Sequence, residues 1–410
     1  MNGAREKIGL FLSAEPHGGG AFQYSQSLLH AALALPHDKY ELVVARASSP
    51  WQPLLPENSI KIITLRNRSF LWHRFSRRFW LLMGIPLDFW RKFCHFLIPD
   101  YRNIVRENCD LWIFPAQDTW SYILPVPSLS VIHDLMHRYE RRFPEVSSGF
   151  IYRQREKHYK NICRYSTGIL VDSEVGKTHV MESYEIDESH LYLLPYIAPS
   201  YLHNNENGHE KAVDYDLPKK FFFYPAQFWK HKNHERLLRA MVNLLHRIPD
   251  LKMVFAGSPK NAYGEVKTIV SNLGLSDQII FLGYVPDDDM APLYRRARAL
   301  IMPTFFGPTN IPPLEAFFLG CPVAISNVYG TPEQIGDAGL LFDPSSETEI
   351  AETMYRLWTD DGLCGTLSRK GRERAAIWNR DSFQRRFDEI VNSLTVRRKG
   401  ESIPIKGFRN

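Results

Sequence analysis

The sequence is poor in the features that would fix its chemistry cheaply. Its five cysteines (Cys94, Cys109, Cys163, Cys321 and Cys364) are scattered, odd in number and never in a CxxC pair. That pattern excludes a disulfide framework and a zinc site, and it suits free thiols in a reducing compartment. Long apolar runs are missing as well. The N-terminal stretch MNGAREKIGLFLSAEP is too short in its apolar part for a secretion signal, and charge interrupts every longer candidate for a membrane span. A soluble, cytoplasmic chain is expected. There is no internal repeat and no low-complexity segment. Two nucleotide signatures also fail. The first strand runs into Ala14-Glu15-Pro16-His17-Gly18-Gly19-Gly20, which does not fit GxGxxG. Val175-Gly176-Lys177-Thr178 looks like the end of a P-loop, but the motif demands glycine at 171, where the chain has Val171. A net charge of +5 over 410 residues is too mild for a nucleic-acid binder, so no nucleic-acid partner is expected.

What is present is ample apolar material, 44% of residues, arranged in two similar halves. Short β-branched runs alternate with amphipathic stretches, the pattern of parallel α/β sheets. Strands are predicted at 8–13, 41–45, 60–65, 111–114, 128–133, 168–172 and 191–194. After a polar stretch, they resume at 221–224, 252–256, 278–281, 299–302, 322–326 and 340–342. The division is therefore a first domain over 1–198, a linker over 199–219 and a second domain over 220–380. A last helix is predicted near 381–396, followed by a frayed basic tail. Two such domains create a cleft where the carboxyl ends of their strands face each other, the usual place for ligands in open parallel sheets.

The most informative stretch is Pro303–Ser326, PTFFGPTNIPPLEAFFLGCPVAIS. A strand feeds a Gly/Pro/Thr/Asn loop that opens into a short helix, with Asn310 placed as its N-cap. Pro312 and Pro313 lack N–H groups, which leaves the donors of Thr309, Asn310, Ile311 and Leu314 free for an anion. Leu314, Phe317, Phe318 and Cys321 have the spacing of a buried stripe. Glu315 lies off that stripe and reads equally as a ligand contact or as a solvated first-turn carboxylate.

Other strand ends carry candidates, each with a plainer alternative. Gly18, Gly19 and Gly20 permit close backbone approach to a ligand, or simply make a turn. His133-Asp134 suits a pair that orients a hydroxyl or moves a proton, or a capping pair. Lys230 and Lys232, in Trp229-Lys230-His231-Lys232-Asn233, would neutralise a diphosphate or be solvated. Asn233 is placed to cap the helix after it. Asp287-Asp288-Asp289 reads as an acidic helix start and not a metal motif, and no metal is expected. Residues 66–92 carry seven Lys/Arg against one acid, interleaved with Trp72, Phe75, Phe79, Trp80, Phe89 and Trp90. They suit an anionic membrane surface, RNA, or a helix packed on its own domain.

The second half resembles the nucleotide-sugar domain of family 4 retaining glycosyltransferases, which have the GT-B fold. The likeness rests on FYPAQFWKHKNHERLLRA, IIFLGYVPDDDMAPLYRRARALIMPT, the loop GPTNIPPLE and PEQIGDAGLLFDP. It implies two Rossmann-like domains, with the last helix crossing back onto the first. It also implies a nucleotide-diphosphate sugar as co-substrate, with no cofactor, and a saccharide or lipid-linked acceptor. By this resemblance Lys232 and Asn233 correspond to a phosphate-binding Lys-Asn, with Gln227 and Lys230 before them. The backbone at Tyr284 borders the base, while Thr309, Asn310 and Ile311 face sugar and diphosphate. Glu315 binds the ribose. Gly19 and Gly20 lie near the diphosphate, and His133 lies near the donor sugar. The family's paired glutamates fall on Gly307 and Glu315, so the first is absent here. Loops of this kind are common in polysaccharide-assembly enzymes.

Overall fold

The computed structural model describes residues 5–16, 19–47, 49–56, 60–65, 73, 75, 84–204 and 215–400. Short, almost fully apolar strands can only be buried on both faces, and here they form two all-parallel sheets. The first contains β1 (Glu6–Leu12), β2 (Tyr40–Arg46), β3 (Lys61–Thr64), β4 (Leu111–Phe114), β5 (Ser128–Val131), β6 (Gly168–Val171) and β7 (Leu191–Leu193). Its order is β3-β2-β1-β4-β5-β6-β7. The second contains β8 (Phe222–Pro225), β9 (Met253–Ala256), β10 (Ile279–Gly283), β11 (Ala299–Met302), β12 (Val323–Ser326) and β13 (Gly339–Phe342). Its order is β10-β9-β8-β11-β12-β13. Every strand overlaps one read from the sequence. The order of each sheet reverses between two neighbours, β1 beside β4 and β8 beside β11, and a crevice opens beyond the strand ends at such a point.

One part of the chain lies differently from the reading above. The expected linker is not merely a tether. Tyr201 and Leu202 are buried in the second core, and Tyr215 and Leu217 pack against it, while the middle of the segment, 205–214, lies outside the described residues. The last helix, Arg380–Gly400, does return to the first domain: Phe383, Phe387, Ile390, Val391 and Leu394 share a core with Leu28, Leu29 and Leu129. The decoys resolve as helix starts. Ser173 caps the helix Glu174–Tyr184 by accepting from the Gly176 N–H, and Asp287–Asp289 form the first turn of Asp287–Arg296.

No helix among the described residues is long and apolar enough to cross a membrane. Most of the basic-aromatic stretch, 66–83 except His73 and Phe75, lies outside the described residues, as do Gly18 and the tail beyond 400.

Candidate active site between the two sheets

The loops after β8 and β11 face the loops after β1, β5 and β6, and the two sets are joined by a seam of specific contacts. The loop 303–310 carries Phe305 and Phe306 into a small apolar cluster with Met136, Phe143 and Val146 of the first domain. The His231 ring stacks on Phe306 at 3.9 Å between centroids. Its Nδ1 and backbone N–H both donate to Glu145 Oε1, at 2.8 and 3.0 Å, and Asn261 Nδ2 donates to the other oxygen at 3.2 Å. Burial alone would raise the Glu145 carboxyl, but the bonds from His231 outweigh it and hold the group at about 2. Burial brings His231 down to about 4, so its imidazole is neutral. Thr309 donates its hydroxyl to Asp172 at the end of β6, and Ser173 Oγ adds a second bond at 3.2 Å. That aspartate is buried, which pushes it up to about 7 despite both donors. Gln23 Nε2 donates to Asp287 at 2.8 Å and Tyr329 Oη to Glu140 at 2.7 Å.

Within this frame the first turn of Ile311–Leu319 meets the glycine turn of the first domain. A Cβ placed on Gly20 would stand 3.2 Å from Ile311 Cδ1, and Gly19, at φ +63°, makes the turn that starts the helix Gly20–Leu33. Asn310 holds the N-cap position but does not cap with its side chain, contrary to expectation. Its backbone is instead gripped by Gln334, whose Oε1 accepts from the Asn310 N–H (3.0 Å) and whose Nε2 donates to its carbonyl (2.6 Å). The Asn310 amide lies over Gly307, within 2.8 Å of where a Cβ would be, and Gly307 has φ +133°. This backbone strains any side chain placed at 307, a glutamate included. Gly307→Glu is therefore expected to lower the melting temperature by several degrees (about 1–3 kcal/mol for such a backbone strain) and not to raise turnover. A thermal melt and a rate measurement check both halves.

Glu315 is the largest departure from the sequence reading. Leu314 and Phe318 are only half-buried, whereas Ile311, Glu315, Ala316 and Leu319 face inward with Phe317. The carboxylate is buried, raised by that burial, and takes a hydroxyl donor on each oxygen: Tyr201 (2.6 Å) and Tyr294 (2.5 Å). Neither tyrosine was a candidate from sequence, and Tyr201 sits in what read as featureless linker.

The lysines separate. Lys230, half-exposed, pairs with Glu265 (3.3 Å) instead of lying unpaired as expected of a diphosphate contact. Lys232 is half-buried, brought down to about 8 by burial with Asp134 opposing the shift, and has no ion-pair partner among the described residues. Asn233 adopts φ +59° and does not cap its helix. Its Nδ2 spends both hydrogens on Pro303 O (2.9 Å) and Pro344 O (2.8 Å), so it ties the two second-domain loops together beside Lys232. Gln227 accepts from Trp229 Nε1 (3.0 Å) within its own loop, while Tyr284, half exposed, follows β10. His133 and Asp134 do not form a pair. His133 Nδ1 meets Tyr196 Oη at 2.7 Å, and burial brings the ring to about 4, whereas Asp134 pairs with Arg155 at 2.5 Å. The sequence missed Asp172, Glu145, Tyr201 and Tyr294, because their roles depend on partners more than twenty positions away.

A half-buried ammonium with no ion-pair partner among the described residues, a helix start with the Ile311 N–H and a glycine turn thus border one crevice, an arrangement that favours a phosphate-bearing ligand. Residues 207–374 match the family model described as glycosyl transferases group 1. Among curated relatives, the mannosylfructose-phosphate synthase of Agrobacterium fabrum is 24% identical over 278 residues, 62% of this chain and 61% of that protein. The Escherichia coli O-antigen chain mannosyltransferase B is 39% identical over 97 residues, 24% of this chain and 26% of that protein. The chain thus spans less than two thirds of the length of either relative. Among solved structures, Anabaena Alr3699/HepE in complex with UDP and glucose is 17% identical, with a TM-score of 0.66 over 95% of this chain and all of that one. WaaG, a glycosyltransferase involved in lipopolysaccharide biosynthesis, is 15% identical, with a TM-score of 0.63 over 94% and 99% of the two chains. Two parallel-sheet Rossmann-like domains facing across a cleft give this protein the GT-B fold, and its residues 207–374 match a glycosyl transferases group 1 domain.

Proposed function

We propose that this protein is a retaining glycosyltransferase. It would move a hexose, mannose or a close relative, from a nucleotide-diphosphate sugar to a saccharide or lipid-linked glycan, in the assembly of a cell-surface polysaccharide such as O-antigen. The observation that carries the reading is Lys232: an ammonium with no ion-pair partner among the described residues, pinned through Asn233 to the loop that opens into Ile311–Leu319. The mannosyltransferase among the relatives and the UDP-bound state of a structural neighbour support the donor class. In this reading the second domain holds the donor and the first holds the acceptor. Lys232, the glycine turn and the N–H groups of Thr309 and Ile311, the Asn310 N–H being spent on Gln334, stabilise the negative charge gathering on the departing diphosphate. Of the carboxylates bordering the crevice, Asp134 is paired with Arg155, Asp172 is bonded by Thr309 and Ser173, and Glu315 is bound by two tyrosines, which disfavours a covalent nucleophile among them. Departure and attack then take place on one face of the sugar, which retains its configuration. His133, neutral and oriented by Tyr196, offers a hydrogen bond to a sugar hydroxyl.

The test is a melting screen against GDP, UDP, dTDP, CDP and ADP, with and without EDTA. It is followed by transfer from the matching nucleotide sugar, with the anomer of the product read by NMR. One nucleotide raising the melting temperature independently of EDTA, with transfer and retention, supports the proposal; an inverted product or no shift at all defeats it. Binding without transfer would favour a silent nucleotide-sugar-binding subunit. The sealed Glu315 and the bare Gly307 are the observations on that side.

A further inference from the structure

The helix Leu87–Leu97 of the first domain is inverted in its polarity. Trp90 and Cys94 face inward, while its outer face presents Phe89 (57% exposed), Phe93 (45%), Phe96 (62%) and Leu97 (66%). Positions 89, 93, 96 and 97 fall on one helical stripe, and four large apolar side chains side by side are more than a surface ordinarily shows to water. The helix Gly149–Tyr165 is tied to it: Arg164 pairs with Asp88 at 3.0 Å, and the Arg91 guanidinium lies 4.6 Å from the Tyr165 ring centre. That second helix exposes Phe150 (78%) together with Arg153, Lys157, Lys160 and Arg164. Its one acid, Glu156, is occupied by His137 and Arg138. The two helices hold seven Lys/Arg against two acids, so 28 residues carry as much net charge as the whole chain, +5.

Apolar anchors flanked by long basic side chains match the two layers of a lipid surface, acyl chains below and anionic headgroups above. We infer that the face formed by 87–97 and 149–165 docks on an anionic phospholipid bilayer. RNA would use the cations but leave the aliphatic Leu97 and the contiguous phenylalanine stripe in water; a second copy of this chain would bring its own +5 against these cations. Neither accounts for both halves of the face. The inference uses none of the residues assigned to the donor site, so it does not depend on the catalytic reading.

The experiment is co-sedimentation of the full chain with vesicles of phosphatidylcholine alone, or with about a third phosphatidylglycerol. The expected result is binding only to the anionic vesicles, weakened by salt. It should weaken at least tenfold in the variant Phe93→Ser, Phe96→Ser, Leu97→Ser, and by about fivefold for each charge removed in Lys157→Gln and Lys160→Gln, the scale for a basic group near an anionic surface. These side chains are exposed, and the nucleotide-induced melting shift of each variant checks that the fold and cleft are intact. Equal binding to phosphatidylcholine alone, or binding unchanged in both variants, overturns the inference. So does a concentration-dependent dimer that the serine variant abolishes without any vesicle binding, which would assign the face to a second copy.

Discussion

Lys232→Ala is expected to lower turnover about a hundredfold, the scale for removing one donor aimed at charge that develops in the transition state. The same residue sets the alkaline limb of the pH profile. Burial puts its ammonium at about 8 in the unliganded protein, so kcat/KM should fall above about pH 8 as the proton is lost. A bound diphosphate favours the charged form and should carry the limb of kcat to higher pH. Lys232→Arg, always charged, should lose the limb while keeping part of the rate, although it cannot copy a compact ammonium. Stability should move the other way. The unfolded chain holds this proton up to about 10.5, the folded one only to about 8, so the native state gains stability as pH rises through that window and is penalised below it. Lys232→Met, which keeps the length and discards the charge, should therefore melt above the parent protein at neutral pH while being nearly inactive. A variant that is inactive and melts lower would point to lost packing, and one with near-parental turnover would remove the lysine from the chemistry.

Glu315→Ala is expected to act on binding and stability together. If the carboxylate reads the ribose, donor affinity should fall by about 1.5–3 kcal/mol, the worth of a charged hydrogen bond. Because the side chain is buried under two tyrosine hydroxyls, its removal also strands both donors, at a further cost to folding of about 2–4 kcal/mol. Tyr201→Phe and Tyr294→Phe separate the two effects. Each leaves the carboxylate in place with one donor fewer, and each should lower the melting temperature less than Glu315→Ala does. Titration calorimetry against the nucleoside diphosphate found in the melting screen is the decisive measurement. A lower melting temperature with unchanged affinity would make Glu315 a core acid held by its tyrosines and nothing more.

The strands were legible because parallel sheets covered on both sides need short, nearly continuous apolar runs, and each run ends where a Gly, Pro, Asn or Asp cluster begins. The crevice-forming loops were legible for the same reason, since they are whatever follows those runs. Side-chain destinations were not. Lys230 and Lys232 share one 3-10 turn, where successive residues rotate by about 120°, so two lysines of equal promise face different ways. Asn233 and Asn310 are capping residues by type, but one has its amide bonded to two carbonyls and the other is held by Gln334. Glu315 looked exposed because a helix buried nearly all round offers no polar face from which to judge an angle. The tyrosines that make its burial tolerable come from 201 and 294, and helical spacing cannot reveal such partners.

The seam between the domains has an uncommon composition. From the first domain it offers carboxylates, Asp172, Glu145 and Glu140; from the second it answers with neutral donors, Thr309, His231, Asn261 and Tyr329. Gln23 and Asp287 repeat the pairing in reverse. In these contacts no cation is matched to an anion, so mobile ions have little to screen. A join built this way is nearly deaf to ionic strength and attentive to acid, and it leaves the bulk of the closing grip to the block of Phe143, Phe305 and Phe306.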